Sequence, residues 1–188
     1  MSLLDIYVLG APILREETKM VDEITDELRE LIDDMFETMY AARGIGLAAP
    51  QVGRTERITV VDVDGNPIVL VNPEIVISEG KTREEEGCLS IPDIYGDVER
   101  PKDVVVRAMD LDGNEYEVEA TELLARCLQH EIDHLDGRLF LDYLSVLKRT
   151  AALAKWKLEQ NKYPGFIRRT ALETPEERKR HEHPDEEL

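Results

Sequence analysis

The sequence predicts a single α+β domain in which antiparallel β-sheets pack around a central metal-binding helix, with further helices at the N-terminal and C-terminal ends. Three observations predict it. Apolar residues recur at helical spacing near both ends of the 188-residue chain and in strand-like runs in the middle. Two Asp-Gly pairs, Asp64-Gly65 and Asp112-Gly113, each separate two strand-like runs, the usual signal of a hairpin. The stretch QHEIDHLDG at 129–137 sets two of only four histidines four residues apart inside a helical run.

The first helix is read over 26–42. Leu28, Leu31, Ile32, Met35, Phe36, Met39 and Tyr40 recur at spacings of three and four and make one apolar stripe, read as core-forming. Thr25 is placed to cap it, and Asp26 and Glu27 suit the positive end of the helix dipole. RGIGLAAPQVG at 43–53 then breaks the pattern with three glycines and a proline. Strands follow at 57–63 and 67–78 around Asp64-Gly65, and at 102–110 and 115–120 around Asp112-Gly113. Thr121 opens the next helix and Gly137 ends it. A last helix covers 144–162 around Leu144, Leu147, Ala151, Trp156 and Leu158, and Pro164-Gly165 stops it. From about 171 the chain is charged and poor in apolar residues, a composition that predicts disorder.

Charge and composition exclude several classes. The formal charge of −18 argues against a general or sequence-specific nucleic-acid binder, which would present a basic face. No window approaches the roughly 18 consecutive apolar residues a membrane helix needs. The first residues lack a basic region followed by a long apolar run, so no signal peptide is expected. Two cysteines, Cys88 and Cys127, then belong to a reducing cytoplasm, where they serve metals, catalysis or packing more often than disulfides. The charge is uneven, however. Residues 148–169 carry seven basic side chains against the single acid Glu159. Such a segment is either a docking site for something polyanionic or an ordinary solvated helix face.

The histidine pair carries the chemistry. Positions i and i+4 share one helix face about 6 Å apart, so His130 and His134 can meet one ion while Glu131 reaches a water beside it. A hydrolytic centre of this kind generally takes a third protein ligand. A metzincin pattern would need histidine where Phe140 stands. A thermolysin-like centre would need a downstream glutamate, and Glu159 lies in the basic segment KWKLEQNK without the supporting pattern. Cys127 is seven residues, about 10 Å of helix rise, from His134 and cannot share its ion. Cys88, in EEGCLSIP, is free of that constraint. The ligands are therefore read as Cys88, His130 and His134, with Cys127 as a pocket wall. His181 and His183 are read as solvated tail residues.

Three stretches together resemble the peptide deformylase family: GIGLAAPQ at 44–51, EGCLS at 86–90 and QHEIDH at 129–134. The likeness runs over about residues 3–160. It implies a catalytic domain at 1–165 with a charged tail at 166–188. It also implies a metal-dependent hydrolase that removes the N-formyl group from the initiator formyl-methionine of nascent polypeptides and releases formate. The resemblance implies Fe(II) as the cellular ion, with Zn, Ni or Co tolerated. It makes Glu131 the general base, and it assigns the Gln51 carboxamide and the Leu89 N–H to the oxyanion. The peptide would add as a strand beside Ile45, between Gly44–Gly46 and Gly87, with glycines letting it approach the backbone. Ile45, Leu124 and Cys127 would line a methionine pocket, and Arg126 would point outward or sit at its rim. The ribosome is the expected partner of the basic C-terminal helix, with Lys148, Lys155 and Lys162 seven apart along one side. Two other readings compete: a zinc endopeptidase, and an acidic metal-binding module in which Glu131 is a spectator.

Overall fold

The computed structural model describes residues 2–172. In chain order the elements are β1 (Ile6–Tyr7), α1 (Asp26–Ala41), β2 (Gly46–Ala48), β3 (Ile58–Val63), β4 (Asn66–Glu79), β5 (Thr82–Cys88), β6 (Ile91–Arg100), β7 (Asp103–Met109), β8 (Glu115–Thr121), α2 (Glu122–Leu135), α3 (Val146–Glu159) and β9 (Ile167–Arg168), joined by short 3-10 turns. Three antiparallel sheets result. The main one has the order β2-β3-β4-β7-β8, while β5-β6 and β1-β9 each form a two-stranded sheet. This is the α+β architecture the sequence predicts, with α2 between the main sheet and the β5-β6 hairpin.

Local chemistry explains the elements. Thr25 caps α1 by accepting the Leu28 N–H at 3.2 Å, and Leu28, Leu31, Ile32, Met35 and Met39 bury against Leu47, Ile58 and Val60 of β2 and β3. Tyr40 departs from the expected stripe: it is 49% exposed, because its hydroxyl donates to Asp62 at 2.5 Å and needs the rim of the core. Helix α2 packs Leu128 and Ile132 against Val61, Val104 and Val106 of the main sheet. It ends at Gly137, whose φ of +70 and backbone contact with Arg15 leave no room for a side chain. A third apolar cluster joins Val8, Ile91, Ile94, Val98, Phe140, Leu144 and Trp156.

The β5-β6 hairpin is absent from the sequence reading. Its inward positions explain why: Ile94 and Val98 alternate with exposed Asp93, Tyr95, Asp97 and Glu99, but Arg100 and Glu86 occupy inward slots as well. A charged pair inside a strand pattern hides the period-2 apolar signal. Strand β9 is also unforeseen. It pairs Ile167 with Tyr7 and Arg168 with Ile6, so folded structure continues past 165, where the sequence reading begins the tail. His181 and His183 lie outside the described residues.

Helix α3 turns differently from expectation. Lys148 lies 3.8 Å from Asp97, Lys155 donates to the Asp93 carbonyl at 2.7 Å, and Lys162 pairs with Glu159. The row of lysines at seven-residue spacing is thus engaged with acceptors of the protein itself. The outward face carries Leu147 and Leu158, 81% and 80% exposed, with Ala151 and Ala154 exposed between them. Among the described residues no helix is long and apolar enough to cross a membrane.

Candidate active site

Two elements bring three ligand atoms together. Helix α2 supplies His130 and His134 from successive turns, and the end of β5 supplies Cys88. The register of β5 on β6 slips between Glu86 and Cys88, and such a bulge re-aims the side chain that follows it. The Cys88 sulfur and one nitrogen from each histidine all lie within 4.8 Å of one another. The sulfur stands 3.3 Å from His134 Nε2.

The surroundings fit a cation. His130 Nδ1 donates to Glu86 Oε1 at 3.0 Å, which turns the Nε2 edge of the ring toward Cys88 and His134. Burial alone would lower the His130 pKa, but hydrogen bonds to Cys88 and Glu86 outweigh it and raise it well above the usual value. Negative charge is therefore concentrated where a divalent ion would neutralise it. Burial drives the His134 pKa well below its usual value and keeps that ring neutral, as ligation requires. One thiolate and two imidazoles accept several first-row divalent ions. Phe140, which occupies the position a metzincin would give to a third histidine, stacks on His130 at 6.3 Å.

Glu131 lies beside this cluster with one carboxylate oxygen buried and without a partner among the described residues. Burial pushes its pKa up to about 7, against the pull of His130. The carboxylate abuts Gly46, where any Cβ would collide with it. That glycine is demanded by the glutamate beneath it, a reason that the expected close approach of a peptide does not supply. Gln51 is buried in the 3-10 turn after β2. Its Oε1 accepts the Ala48 N–H at 2.8 Å, and its Nε2 donates to Ser90 at 3.1 Å and faces the Cys88 sulfur at 3.7 Å. One carboxamide thus caps the loop, holds Ser90 and faces the cluster at Cys88.

These groups open onto one cleft of about 490 Å³. Gly44, Ile45 and Gly46 form one wall, and Gly87, Cys88 and Leu89 form the other. Gln51, Cys127, His130 and Glu131 line the floor, while His134 is buried beneath. Two expectations are corrected. Leu124 does not line the cleft; it packs on the core cluster under the main sheet, and Leu123 takes the wall position. Leu123, Cys127 and His130 follow one another at spacings of four and three, whereas Leu124 stands one residue, about 100°, round the helix toward Leu128. Arg126 points neither outward nor to the solvent edge. It is 5% exposed and donates to Glu86 Oε2 at 2.6 Å and to the Val98 carbonyl at 2.9 Å.

Arg126 belongs to a buried ionic cluster that the sequence reading did not assign. Arg100 forks onto Glu86 at 2.6 and 2.9 Å and reaches Asp133 at 2.8 Å. Tyr143 donates to the other Asp133 oxygen at 2.9 Å. Burial opposes ionisation of Glu86, but hydrogen bonds from His130 and Arg100 prevail and bring its pKa down to about 2. The available signal was a glutamate two residues before Cys88 and an aspartate between the two histidines, both inside the motifs EGCLS and QHEIDH.

An α+β unit with His-Glu-x-x-His on a buried helix and a cysteine beside it from a bulged strand has the make-up of a metallohydrolase. The profile described as polypeptide deformylase matches residues 3–150. A peptide deformylase of Hydrogenovibrio crunogenus is 58% identical over 162 residues, covering 85% of this chain and 96% of that protein. One of Bartonella tribocorum is 51% identical over 165 residues, covering 84% and 93%. Among solved structures, a peptide deformylase from Legionella pneumophila superposes with a TM-score of 0.82 at 47% identity over 85% of this chain and 96% of that one. The Ehrlichia chaffeensis enzyme in complex with actinonin gives 0.82 at 42%, over 85% and 99%. The chain belongs to the polypeptide deformylase family.

Proposed function

We propose that this site removes the N-formyl group from the initiator formyl-methionine of nascent polypeptides, with Cys88, His130 and His134 holding one divalent ion, Fe(II) in cells. The observation that carries the reading is the buried Glu131 carboxylate, one oxygen of it without a partner among the described residues, beside the Cys88, His130 and His134 cluster at the floor of the cleft. The bound ion would polarise the formyl carbonyl through its oxygen and lower the pKa of water. Glu131 takes the proton from the attacking water and passes it to the departing amine. Oxygen charge that develops on the formyl group meets the Gln51 carboxamide and the Leu89 N–H. Strand β2 is the edge of the main sheet and β5 has one partner only, so an extended peptide laid between Ile45 and Gly87 can add as a strand. The methionine side chain then lies against Ile45, Leu123 and Cys127. The test is formate release from a formyl-Met tripeptide by protein loaded anaerobically with Fe(II) or Ni(II). Release from the formylated peptide, with no cleavage of internal peptide bonds, separates this reading from an endopeptidase.

We also infer that α3 and the segment to 169 meet the ribosome in the cytoplasm. Lys157 and Leu158, adjacent on the exposed side of α3, support this contact, since Lys148, Lys155 and Lys162 already engage acceptors of the protein itself. A Lys157→Glu, Leu158→Ser variant should keep activity on short formyl-peptides and lose ribosome co-sedimentation. Unchanged co-sedimentation refutes the docking.

A further inference from the structure

Arg126 is the one buried charged side chain on the cleft face of α2 to which the reaction gives no task. A buried ion pair is poor stabilisation by itself, since an apolar residue of similar volume commonly serves as well. Its contacts show what it does hold. From α2 it reaches both strands of the hairpin: Glu86 and Thr82 on β5, at 2.6 and 3.1 Å, and Val98 on β6, at 2.9 Å. Arg100 makes the reciprocal crossing, from β6 to Asp133 on α2. The two arginines therefore clamp the strand that bears Cys88 to the helix that bears His130 and His134. They act at two points seven residues apart along α2, with His130 between them.

Both clamps converge on one carboxylate. Glu86 Oε2 accepts from Arg100 and Arg126, while Oε1 accepts from Arg100 and His130. Arg100 forks across the two oxygens, and Arg126 holds Oε2 from the α2 side. With Oε2 fixed, Oε1 stays on the His130 Nδ1–H, the ring cannot turn, and Nε2 remains aimed at the Cys88 and His134 atoms. Groups that orient a ligand imidazole in this way commonly change metal affinity about 10–100-fold when removed.

We propose that Arg126 is a positioning residue for His130, acting through Glu86 to keep the ion-binding geometry assembled between β5 and α2. The proposal rests on the reading of Cys88, His130 and His134 as ligands. Arg126→Met keeps the volume and removes the head group. Arg126→Lys keeps the charge, reaches Glu86, and loses the simultaneous hold on Thr82 and Val98.

The test loads wild-type and variant proteins anaerobically with one equivalent of Co(II). It records the thiolate-to-cobalt absorption and the rate of ion release to excess chelator. Wild-type protein should take up one ion with a thiolate band. Arg126→Met should release it roughly 10–100-fold faster, with an altered band, and Arg126→Lys should fall between. The Glu86→Gln, Arg126→Met double variant should release no faster than Glu86→Gln alone, because the arginine works through that carboxylate. Ile32→Val, a core change in α1 away from the cluster, should lower thermal stability and leave release unchanged. A wild-type release rate in Arg126→Met, or additive effects in the double variant, overturns the positioning role. If Arg126→Met does not fold, Arg126→Lys decides, and release at the wild-type rate overturns the proposal. Wild-type protein that takes up no ion, or takes it up without a thiolate band, overturns the ligand assignment and the proposal with it.

Discussion

At the residue scale, proximity separates groups that look alike in sequence. Two cysteines lie near the cluster, yet only the Cys88 sulfur is grouped with both histidines. Cys127 faces the Ile45 carbonyl at 3.6 Å, and burial pushes its thiol pKa well above the usual value. Cys88→Ser should therefore strip most of the bound ion, and Cys127→Ser should retain it, as read by metal content after gel filtration. Equal loss in both variants would sink the assignment. Glu131 is expected to be a base and not a ligand, because it is buried beside the three grouped atoms and takes no place among them. Glu131→Ala should hold a stoichiometric ion and lose about 10²–10⁴ in turnover. Ion-replete Glu131→Ala with wild-type turnover would remove it from the mechanism.

At the element scale, strand β2 and helix α2 approach so closely that one glycine decides the fit. Gly46 lies directly on the Glu131 carboxylate, and overpacking in such a place costs about 1–3 kcal/mol. Gly46→Ala should lower stability by about that amount and displace Glu131, so turnover should drop more than tenfold while the ion stays bound. A denaturant melt beside a formate assay checks both halves, and full activity would show that the carboxylate has room to move. Helices α1 and α2 and the hairpins around Asp64-Gly65 and Asp112-Gly113 were legible in the sequence. Their apolar residues recur at the spacing of the element and their turn residues sit where the geometry needs them. The β5-β6 hairpin was not legible, because Glu86 and Arg100 stand at inward positions. Leu123 and Leu124 were confused because one residue of helix is a rotation of about 100°, and sequence alone does not say which face meets the sheet.

At the scale of the whole molecule, the chain carries a net −18, and self-repulsion of that size destabilises a folded state. Screening shortens its reach, from about 30 Å at 0.01 M salt to about 3 Å at 1 M. The thermal midpoint should therefore rise by a few degrees between about 0.01 M and 0.5 M sodium chloride, in calorimetry of the ion-loaded protein. A flat or falling midpoint would mean that local ion pairs, such as Arg15 with Asp142 at 2.7 Å, dominate over the long-range field. What the sequence determined by itself was the α+β class, the helix that carries the histidine pair, and Cys88 as the residue grouped with it. Those follow from local spacing, from turn residues and from histidine being scarce. Only the tertiary structure decided that Cys88 reaches the histidines through a bulge, that Gly46 makes room for Glu131, and that Arg126 turns inward to Glu86. It also decided that Lys148 and Lys155 of α3 engage acceptors on β6 while Leu147 and Leu158 face out. Each of these depends on which elements end up side by side. A buried charge is tolerated only where its partner from a distant stretch of chain arrives within hydrogen-bonding distance, and no local pattern encodes that arrival.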